Sequence, residues 1–392
     1  MLTLDKIYQA SYVLKEVIRH TDLIYAPQIN PDSQIYLKPE NLQLTGSFKV
    51  RGAYYKISQL TDEEKVHGVI ACSAGNHAQG VALGATKNGI KSLICLPAGA
   101  PISKVEATKK YGAEVCLVEG VYDDAYQKAL QLKEEKGYTF VHPFDDENVI
   151  AGQGTIGLEL LEELPDVDVV IVPVGGGGLI SGVAFAIKSL KPNVKVYGVQ
   201  ASGAPSMLNS ITNQKIERLN SVSTIADGIA VKEPGIHTYD ICNKYVDGIV
   251  TVTDDEISTA ILTLIEQQKL IAEGVAAAMF NKVPVKGKKV ICLVSGGNID
   301  VTILSRVINR GLLKTGRSYT LTVELADRPG QLVGVTGIIA RMGANVISVH
   351  HERAGSKDIT GCYLQVVMET RNHEHIEKIR QELIREGYHV IS

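Results

Sequence analysis

A lysine set among small residues is the first candidate for chemistry in this chain. Lys49 lies within the segment Thr45–Gly52, at a predicted helix start. Because the positive end of a helix disfavours a nearby cation, burial at this place predicts a lowered pKa for the lysine amine. A neutral amine is suited to Schiff-base formation with a carbonyl compound. The segment is equally compatible with an ordinary surface lysine, and by itself it leaves both interpretations open.

A second candidate is the turn that follows the apolar run Val69–Cys72. The segment Ser73–Gly80 lies where a predicted strand passes into a predicted helix. Backbone N–H groups at such a helix start can hold an anion, such as a substrate carboxylate. Ser73 and Asn76 add side-chain hydrogen-bond donors. The same residue types also cap ordinary turns, so a purely structural role stays open.

A third candidate is the glycine run Gly175–Leu179, which follows a predicted buried strand and precedes a helix. Missing side chains let a backbone wrap a phosphate. No Lys-Ser or Lys-Thr pair follows, which excludes a Walker A loop. No register gives G-x-G-x-x-G, and the next predicted strand ends at Gln200 instead of an acid, which disfavours a dinucleotide site. A single phosphate is the best fit.

Two further segments are weaker candidates. Ser295–Asn298 follows an apolar strand and can present the Ser295 hydroxyl at the carboxyl edge of a sheet. Lys269–Gly274 places Glu273 before a predicted alanine-rich helix. Each segment taken alone could also be an ordinary turn.

The elements that position these residues follow an alternating pattern. Short β-branched runs alternate with helical stretches of about 10–15 residues, which is typical of parallel β-α-β units. The predicted strands are Val69–Cys72, Ser92–Leu96, Glu114–Val118, Val169–Val174, Val194–Gln200 and Lys289–Val294. Because nearly every position in these runs is apolar, both faces of each sheet must be covered. The pattern predicts an α/β body with open parallel sheets.

The pattern changes near residue 310. Gly311–Arg317 is predicted to be a short basic connector, and strict alternation of apolar and polar residues begins at Tyr319. Apolar spacing then predicts two helices. The remaining strands are predicted at Asn345–His351, Ile359–Glu369 and Tyr388–Ile391. The order β-α-β-β-α-β predicts a ferredoxin-like unit over residues 318–392.

Composition excludes several classes of protein. Lysine plus arginine total 40 against 43 acidic residues, so no global attraction to nucleic acid or to an anionic membrane is encoded. The six cysteines form no C-x-x-C pair and are predicted to be reduced, buried thiols. The uncharged run 169–187 is interrupted by Pro173 and Gly175–Gly178, so a strand, a turn and a helix are predicted there and not a membrane span. With no signal-peptide pattern at the start, we expect a cytoplasmic protein.

Together these segments carry a resemblance to a known family. The set is Thr45–Gly52, Ser73–Gly80, Ala151–Thr155, Gly175–Leu179 and Ser295–Asn298. In this order and spacing it closely resembles the threonine dehydratase (threonine ammonia-lyase) family, whose members are pyridoxal-phosphate (PLP) enzymes of fold type II, the tryptophan-synthase-β-like fold. The resemblance implies a catalytic domain over residues 1–310, with a small lobe of about 50–142 inserted in the large lobe and a linker at 311–317. The tail 318–392, with its Asp327–Gly330 turn, resembles an ACT domain, a small-molecule regulatory module.

The resemblance implies a role for each matching residue. Lys49 would be the catalytic lysine that holds the cofactor, with Phe48 against its ring, Asn76 on its phenolic oxygen and Ser295 facing its pyridine nitrogen. The phosphate would be held by Gly175, Gly176, Gly177, Gly178 and Leu179. The substrate carboxylate would be bound by the turn of Ser73, Ala74, Gly75, Asn76 and His77, the last through its backbone. Glu273 would lie near Ser295.

Departures from relatives bear on the substrate. A serine hydroxyl is too weak an acid to keep the pyridine nitrogen protonated, which favours β-elimination over reactions that need a long-lived carbanion. Serine racemases of this fold carry a second serine where this chain has Ala74, so racemisation is predicted to be minor. Gln200 and Ser206 stand where those relatives have acidic metal ligands, so no tightly bound divalent ion is predicted, while a monovalent ion held by carbonyls stays open.

Three hypotheses follow. The first is deamination of L-threonine to 2-oxobutanoate and ammonia, with some L-serine converted to pyruvate, under ACT control. The second is a serine-preferring dehydratase or racemase. The third is a non-catalytic amino-acid sensor. The ACT resemblance implies a small-molecule effector of unknown identity and a homo-oligomer, dimer or tetramer. We expect no nucleic-acid or membrane partner.

Overall fold

The computed structural model describes residues 1–273, 282–353 and 360–391. It divides into two compact units, Met1–Asp300 and Val301–Ser392. The sequence-based boundary was placed at residue 310, ten residues later. The predicted alanine-rich helix after Glu273 lies outside the described residues, as does Ile359, the predicted first residue of a strand.

The first unit alternates strands and helices as predicted. In chain order its elements are α1 (Leu4–Leu14), β1 (Ile24–Tyr25), β2 (Gln34–Pro39), α2 (Lys49–Ser58), α3 (Asp62–His67), β3 (Val69–Cys72), α4 (Asn76–Lys87), β4 (Ser92–Pro97), α5 (Ile102–Lys110), β5 (Glu114–Val118), α6 (Tyr122–Lys136), β6 (Thr139–Phe140), α7 (Glu147–Glu163), β7 (Val169–Pro173), α8 (Gly178–Leu190), β8 (Lys195–Ala201), α9 (Ser206–Thr212), α10 (Ile236–Tyr245), β9 (Gly248–Val252), α11 (Asp254–Thr263) and β10 (Lys289–Val294). β3, β5 and β10 have the predicted bounds.

Two sheets form the frame of this unit. The larger has the order β1-β2-β10-β7-β8-β9 and the smaller the order β5-β4-β3-β6. The prediction of open parallel sheets is confirmed except for β1, which pairs antiparallel with β2. Each residue of β3 and β7 is buried, as expected for strands covered on both faces. The uncharged run 169–187 forms β7, the glycine turn and most of α8, and none of the described helices is long and apolar enough to cross a membrane.

Helix α7 brings the Lys49 helix and the glycine turn together through glycine contacts. A Cβ on Gly152 of α7 would lie 2.6 Å from the Cα of Gly52 on α2. A Cβ on Gly182 of α8 would lie 2.5 Å from the backbone nitrogen of Gly154 on α7. These contacts leave no room for side chains, so glycine lets α2 and α8 pack closely on the two sides of α7. The motif Ala151–Thr155 therefore has a packing role.

The second unit has the predicted ferredoxin-like order. Its elements are α12 (Val301–Lys314), β11 (Ser318–Ala326), α13 (Gln331–Arg341), β12 (Asn345–Glu352), β13 (Gly361–Glu369), α14 (His373–Arg385) and β14 (His389–Val390). The sheet order is β12-β13-β11-β14, with antiparallel neighbours. The prediction of an irregular connector over Gly311–Arg317 is corrected, because α12 continues to Lys314 with Gly311 buried inside it.

All six cysteines are free thiols, as predicted. Five are buried, and Cys116 is partly exposed.

Candidate active site

Lys49 is the first residue of α2, as its sequence context predicts. Its Nζ donates a hydrogen bond to the carbonyl oxygen of Pro143 at 2.9 Å and lies 5.1 Å from the centroid of the Phe48 ring. Burial lowers the pKa of the Lys49 amine to about 8, although the carboxylate of Glu273 acts in the opposite direction. The amine is therefore neutral in a substantial fraction of molecules near pH 8.

The turn before Lys49 is joined to the turn that begins at Ser295. The Phe48 N–H donates to the Ser295 carbonyl at 3.1 Å, and the Gly297 N–H donates to the Gly46 carbonyl at 2.9 Å. These backbone bonds place Ser295, at the end of β10, beside the start of α2. The hydroxyl-bearing residue and the lysine thus lie in one region, although the sequence separates them by more than 200 residues.

Asn76 connects two more of the candidate segments. Its Nδ2 donates to the Glu273 carboxylate, and its Oδ1 accepts a hydrogen bond of 2.7 Å from Asn298 Nδ2. The Asn76 amide is thereby fixed in orientation, and one of its N–H protons has no acceptor among the residues that the structure describes. Burial raises the pKa of Glu273, even though the bond from Asn76 opposes that shift.

The turn that begins at Ser73 is open at its centre. Helix α4 begins at Asn76, and the Gly75 N–H donates to the Ser73 hydroxyl at 3.2 Å. Among the described residues, none beyond the chain neighbours of Gly75 has an atom within 4 Å of the position that a Gly75 Cβ would take. Since the first N–H groups of a helix lack partners within it, this open space can receive an anion such as a carboxylate.

The neighbours of Gly75 differ in what they can contribute. The His77 ring is buried and hydrogen-bonds the Val141 carbonyl at 2.8 Å. Burial lowers the pKa of His77 to about 3, with the Lys49 charge adding to the shift, so the ring is neutral and directed into the core. Only the His77 backbone N–H is therefore a candidate ligand. Ala74, which packs on the core of the small lobe, has no polar side-chain atom.

The glycine turn is closely surrounded. A Cβ on Gly176 would lie 2.4 Å from the Phe144 ring, and a Cβ on Gly178 would lie 2.9 Å from the Phe144 Cα. Gly177 has φ +97°, a left-handed conformation that favours glycine. Leu179 follows in the first turn of α8. Exposed backbone at the start of α8 forms a cradle of the kind that binds phosphate.

Sequence reasoning missed the loop that connects Lys49 to this cradle. Pro143 accepts the Lys49 hydrogen bond, and Phe144 packs against the glycine turn. Nδ1 of His142 accepts hydrogen bonds from the backbone N–H groups of Phe144 (3.3 Å) and Asp145 (2.7 Å). Burial lowers the pKa of His142 to about 4, so the ring can accept these bonds at neutral pH. The available signal was position, since the loop follows the carboxyl end of β6, but β6 has only two residues.

Asp145 extends the same connection to α10. Its carboxylate accepts the N–H groups of Ile236 at 3.0 Å and Thr238 at 3.1 Å. The Thr238 hydroxyl in turn donates to the Gly176 carbonyl at 2.7 Å. The loop and α10 together hold the glycine turn from two sides.

A buried ionic cluster, also missed, anchors the first turn of α2. The Arg51 guanidinium donates to Glu40 at 2.8 Å and to Glu159 of α7 at 2.9 Å. Arg51 and Glu40 are both 0% exposed. Burial alone would lower the pKa of Arg51, but the two carboxylates outweigh it and raise the pKa. The cluster fixes the backbone two residues after Lys49.

The structure brings together the sequence-predicted residues and their chemistry fits PLP. Lys49 offers a carbonyl-reactive amine, and Phe48 offers an aromatic ring beside it. The glycine turn offers a cradle whose space a Cβ would fill. Asn76 has one N–H proton with no acceptor among the described residues. Ser295 directly precedes Gly296, which lies next to the Glu273 carboxylate.

Comparisons with known proteins identify the family of the chain. Residues 14–296 match the family described as pyridoxal-phosphate dependent enzyme, and residues 319–387 match the ACT domain. An L-threonine ammonia-lyase of Thermotoga maritima is 51% identical over 397 residues, covering 100% of this chain and 99% of the relative.

Two solved structures share the catalytic unit. The processed form of threonine deaminase isoform 2 from Solanum lycopersicum has a TM-score of 0.74 and 38% identity, over 78% of this chain and 93% of that one. Maize serine racemase has a TM-score of 0.74 and 34% identity, over 80% and 98%. The predicted fold type II is confirmed, and the chain belongs to the pyridoxal-phosphate-dependent enzyme family and carries an ACT domain.

Proposed function

We propose that the protein is an L-threonine ammonia-lyase that converts L-threonine to 2-oxobutanoate and ammonia, with L-serine to pyruvate as a second activity. The observation that carries the proposal is the pairing of a lysine amine of lowered pKa with an open, anion-binding helix start. Likeness over the full chain to an L-threonine ammonia-lyase supports the choice of substrate.

Lys49 performs the proton transfer in this proposal. Bound PLP supplies an electron sink that makes the α-proton of an amino acid acidic. Lys49 Nζ accepts that proton as general base, and it must be neutral to do so. Its lowered pKa meets this requirement, and its hydrogen bond to Pro143 directs the nitrogen.

Binding and orientation belong to the other residues. The substrate carboxylate lies at the start of α4, on the Ser73 hydroxyl and the backbone N–H groups of Gly75, Asn76 and His77. When PLP is bound, Gly175–Gly178 and Leu179 would hold its phosphate, Phe48 would lie beside its ring, and Asn76 would donate a hydrogen bond to its phenolic oxygen. Ser295 would be the partner of its pyridine nitrogen, and Glu273 keeps Asn76 in place.

The site favours elimination over racemisation. A serine hydroxyl is too weak an acid to keep a pyridine nitrogen protonated, so PLP bound opposite Ser295 would withdraw electrons less strongly and would favour loss of the β-hydroxyl as water. Racemisation needs an acid on the opposite face of the substrate. Ala74 stands beside Ser73 and has no proton to give.

The experiment measures 2-oxo acid release and D-serine formation by the holoenzyme supplied with L-threonine or L-serine. We expect a larger kcat/KM for L-threonine and little D-serine. A preference for L-serine with D-serine as a major product would establish the racemase alternative. The likeness to maize serine racemase is the reason for testing that alternative.

The ACT domain supports a proposal of feedback control in a cytoplasmic homo-oligomer, dimer or tetramer. A small-molecule effector that binds one arrangement of ACT domains more tightly shifts the enzyme toward that arrangement. Inhibition by isoleucine would place the enzyme in isoleucine biosynthesis, and activation by another ligand would place it in catabolism. A monomeric mass in solution with regulation intact would overturn the oligomer proposal.

A further inference from the structure

Three different metal-ligating side chains meet at one edge of the ACT sheet. One ligand atom each of Asp327, His351 and Cys362 lies within 4.8 Å of the other two. We propose that these residues form a binding site for a divalent transition metal ion, with Zn²⁺ the best match. The site lies outside the residues proposed for catalysis.

The topology explains why these residues meet. β11 and β12 both run antiparallel to β13, so their carboxyl ends lie at the edge where β13 begins. Asp327 directly follows β11, His351 is near the end of β12, and Cys362 is near the start of β13. The pairing of His351 with Leu364, a buried core residue like Cys362, places all these positions on the same face.

The chemistry of the three ligands selects the ion. Imidazole nitrogen, thiolate sulfur and carboxylate oxygen are all established ligands of Zn²⁺, whereas Mg²⁺ and Ca²⁺ require oxygen ligands. Binding converts the Cys362 thiol to a thiolate and releases its proton to solvent. Three protein ligands leave one tetrahedral position for water or for a second molecule.

The contacts that the three ligand side chains make in the structure can be replaced by bonds to a metal ion. The Cys362 thiol donates a long hydrogen bond of 3.6 Å to the Leu325 carbonyl. Among the residues that the structure describes, the His351 side chain has no hydrogen-bond or ion-pair partner. Asp327 pairs with Arg353 at 2.7 Å, but the Arg353 side chain is 72% exposed and can turn into solvent when a metal ion replaces it.

A second group of potential metal ligands among the described residues is already neutralised by positively charged side chains. Glu159 and Glu163 lie near His20, but the buried Lys38 ammonium bonds both carboxylates, at 2.8 and 2.6 Å. Arg51 neutralises Glu159 further. Positive charge already occupies that cluster, so it offers no metal site.

The test uses the full-length holoenzyme, freed of metal by chelation and dialysis. Zn²⁺ affinity is measured by competition with a chromophoric chelator, and Co²⁺ is added to observe its visible d–d absorption. We expect one ion per chain and the intense bands of a tetrahedral site with a thiolate ligand. Asp327→Asn, His351→Gln and Cys362→Ala should each weaken Zn²⁺ binding at least ~10-fold.

His350→Gln is the matched control, because His350 is the next residue on β12 and lies on the opposite face of the sheet. It should bind Zn²⁺ like the parent. Asp327 and His351 are exposed, so their variants test the site even where Cys362→Ala disturbs the core.

Arg353→Gln supplies an independent measurement. Removing the competing guanidinium should strengthen Zn²⁺ binding, and saturating Zn²⁺ should raise the thermal unfolding temperature of the parent more than that of His351→Gln. No Zn²⁺ binding by the parent, or equal binding by the parent and the three ligand variants, would overturn the proposal.

Discussion

Two helix starts in the catalytic unit are built in opposite ways. At the start of α8 a Cβ on any glycine of the turn would be in close contact with neighbouring atoms. On Gly178 it would lie 2.9 Å from the Phe144 backbone. At the start of α4, the part of the chain that the structure describes leaves the space at the Gly75 Cβ position open to 4 Å. The first turn is a finished cradle, while the second is open to an incoming molecule.

The difference matches two kinds of occupant. A group that stays bound gains from donors that are already held in place, as the loop from His142 to Asp145 holds the cradle. A substrate must enter and leave in each turnover, so its anion site needs space. Lys49 belongs to neither of these helix starts, because it is the first residue of α2.

Lys49→Ala removes the reactive amine and leaves the starts of α4 and α8 unchanged. It has the largest expected effect. Turnover should fall by more than ~10³-fold, because both the cofactor-linking amine and the general base are lost. The glycine cradle should still bind the cofactor without a covalent link. Steady-state kinetics and absorbance spectra check this, with the exposed Lys65→Ala as control; retained turnover would show that another base acts.

Gly178→Ala tests the closed turn. Its new methyl group would meet the backbone of residue 144, so the cradle or the Pro143 loop must move. We expect roughly 1–3 kcal/mol less stability and a cofactor affinity lowered at least ~10-fold. Urea unfolding and cofactor titration measure the two effects. A parent-like result in both would contradict the idea of a filled cradle.

Gly75→Ala tests the open turn. A methyl group there is within 4 Å of no other described residue beyond its chain neighbours, but it occupies the space proposed for the substrate carboxylate. The KM for L-threonine should rise about 10-fold, with cofactor affinity unchanged, because only substrate binding is obstructed. An unchanged KM would move the carboxylate site elsewhere.

Glu273→Gln has the smallest expected effect and acts through the pKa of Lys49. The Glu273 carboxylate raises the pKa of Lys49 against the larger lowering by burial, so its removal should lower that pKa below about 8. The apoenzyme captures PLP through the neutral amine, so capture slows as pH falls through the pKa of Lys49. The midpoint of this pH profile should move to lower pH in Glu273→Gln and stay in place in Glu106→Gln, which alters an exposed carboxylate.

Local sequence signals predicted most of the strands and helices of the catalytic unit. The glycine run and the Ser73 turn lie directly at strand-to-helix junctions, so their positions follow from residue types that are adjacent in the chain. The start of α2 at Lys49 was predicted for the same reason. The parallel sheets followed from runs such as β3 and β7, which are apolar enough to require two covered faces and are fully buried. β5 differs, because its residues are exposed or only partly buried at the edge of the smaller sheet.

Contacts between distant segments could not be predicted in this way. Arg51 meets Glu40 and Glu159 only because α2 packs on α7, and nothing in the spacing of the three residues indicates it. Gly311 favoured a connector, since glycine inside a helix costs about 1 kcal/mol relative to alanine. Burial of that glycine overrides its low propensity, and α12 continues through it.

Release of 2-oxobutanoate from L-threonine by the PLP-saturated full-length protein tests the proposed function most directly. We predict steady release with an equal amount of ammonia, and none from Lys49→Ala. Parent protein that binds PLP and L-threonine yet forms no 2-oxobutanoate would contradict the enzymatic role and favour an amino-acid sensor.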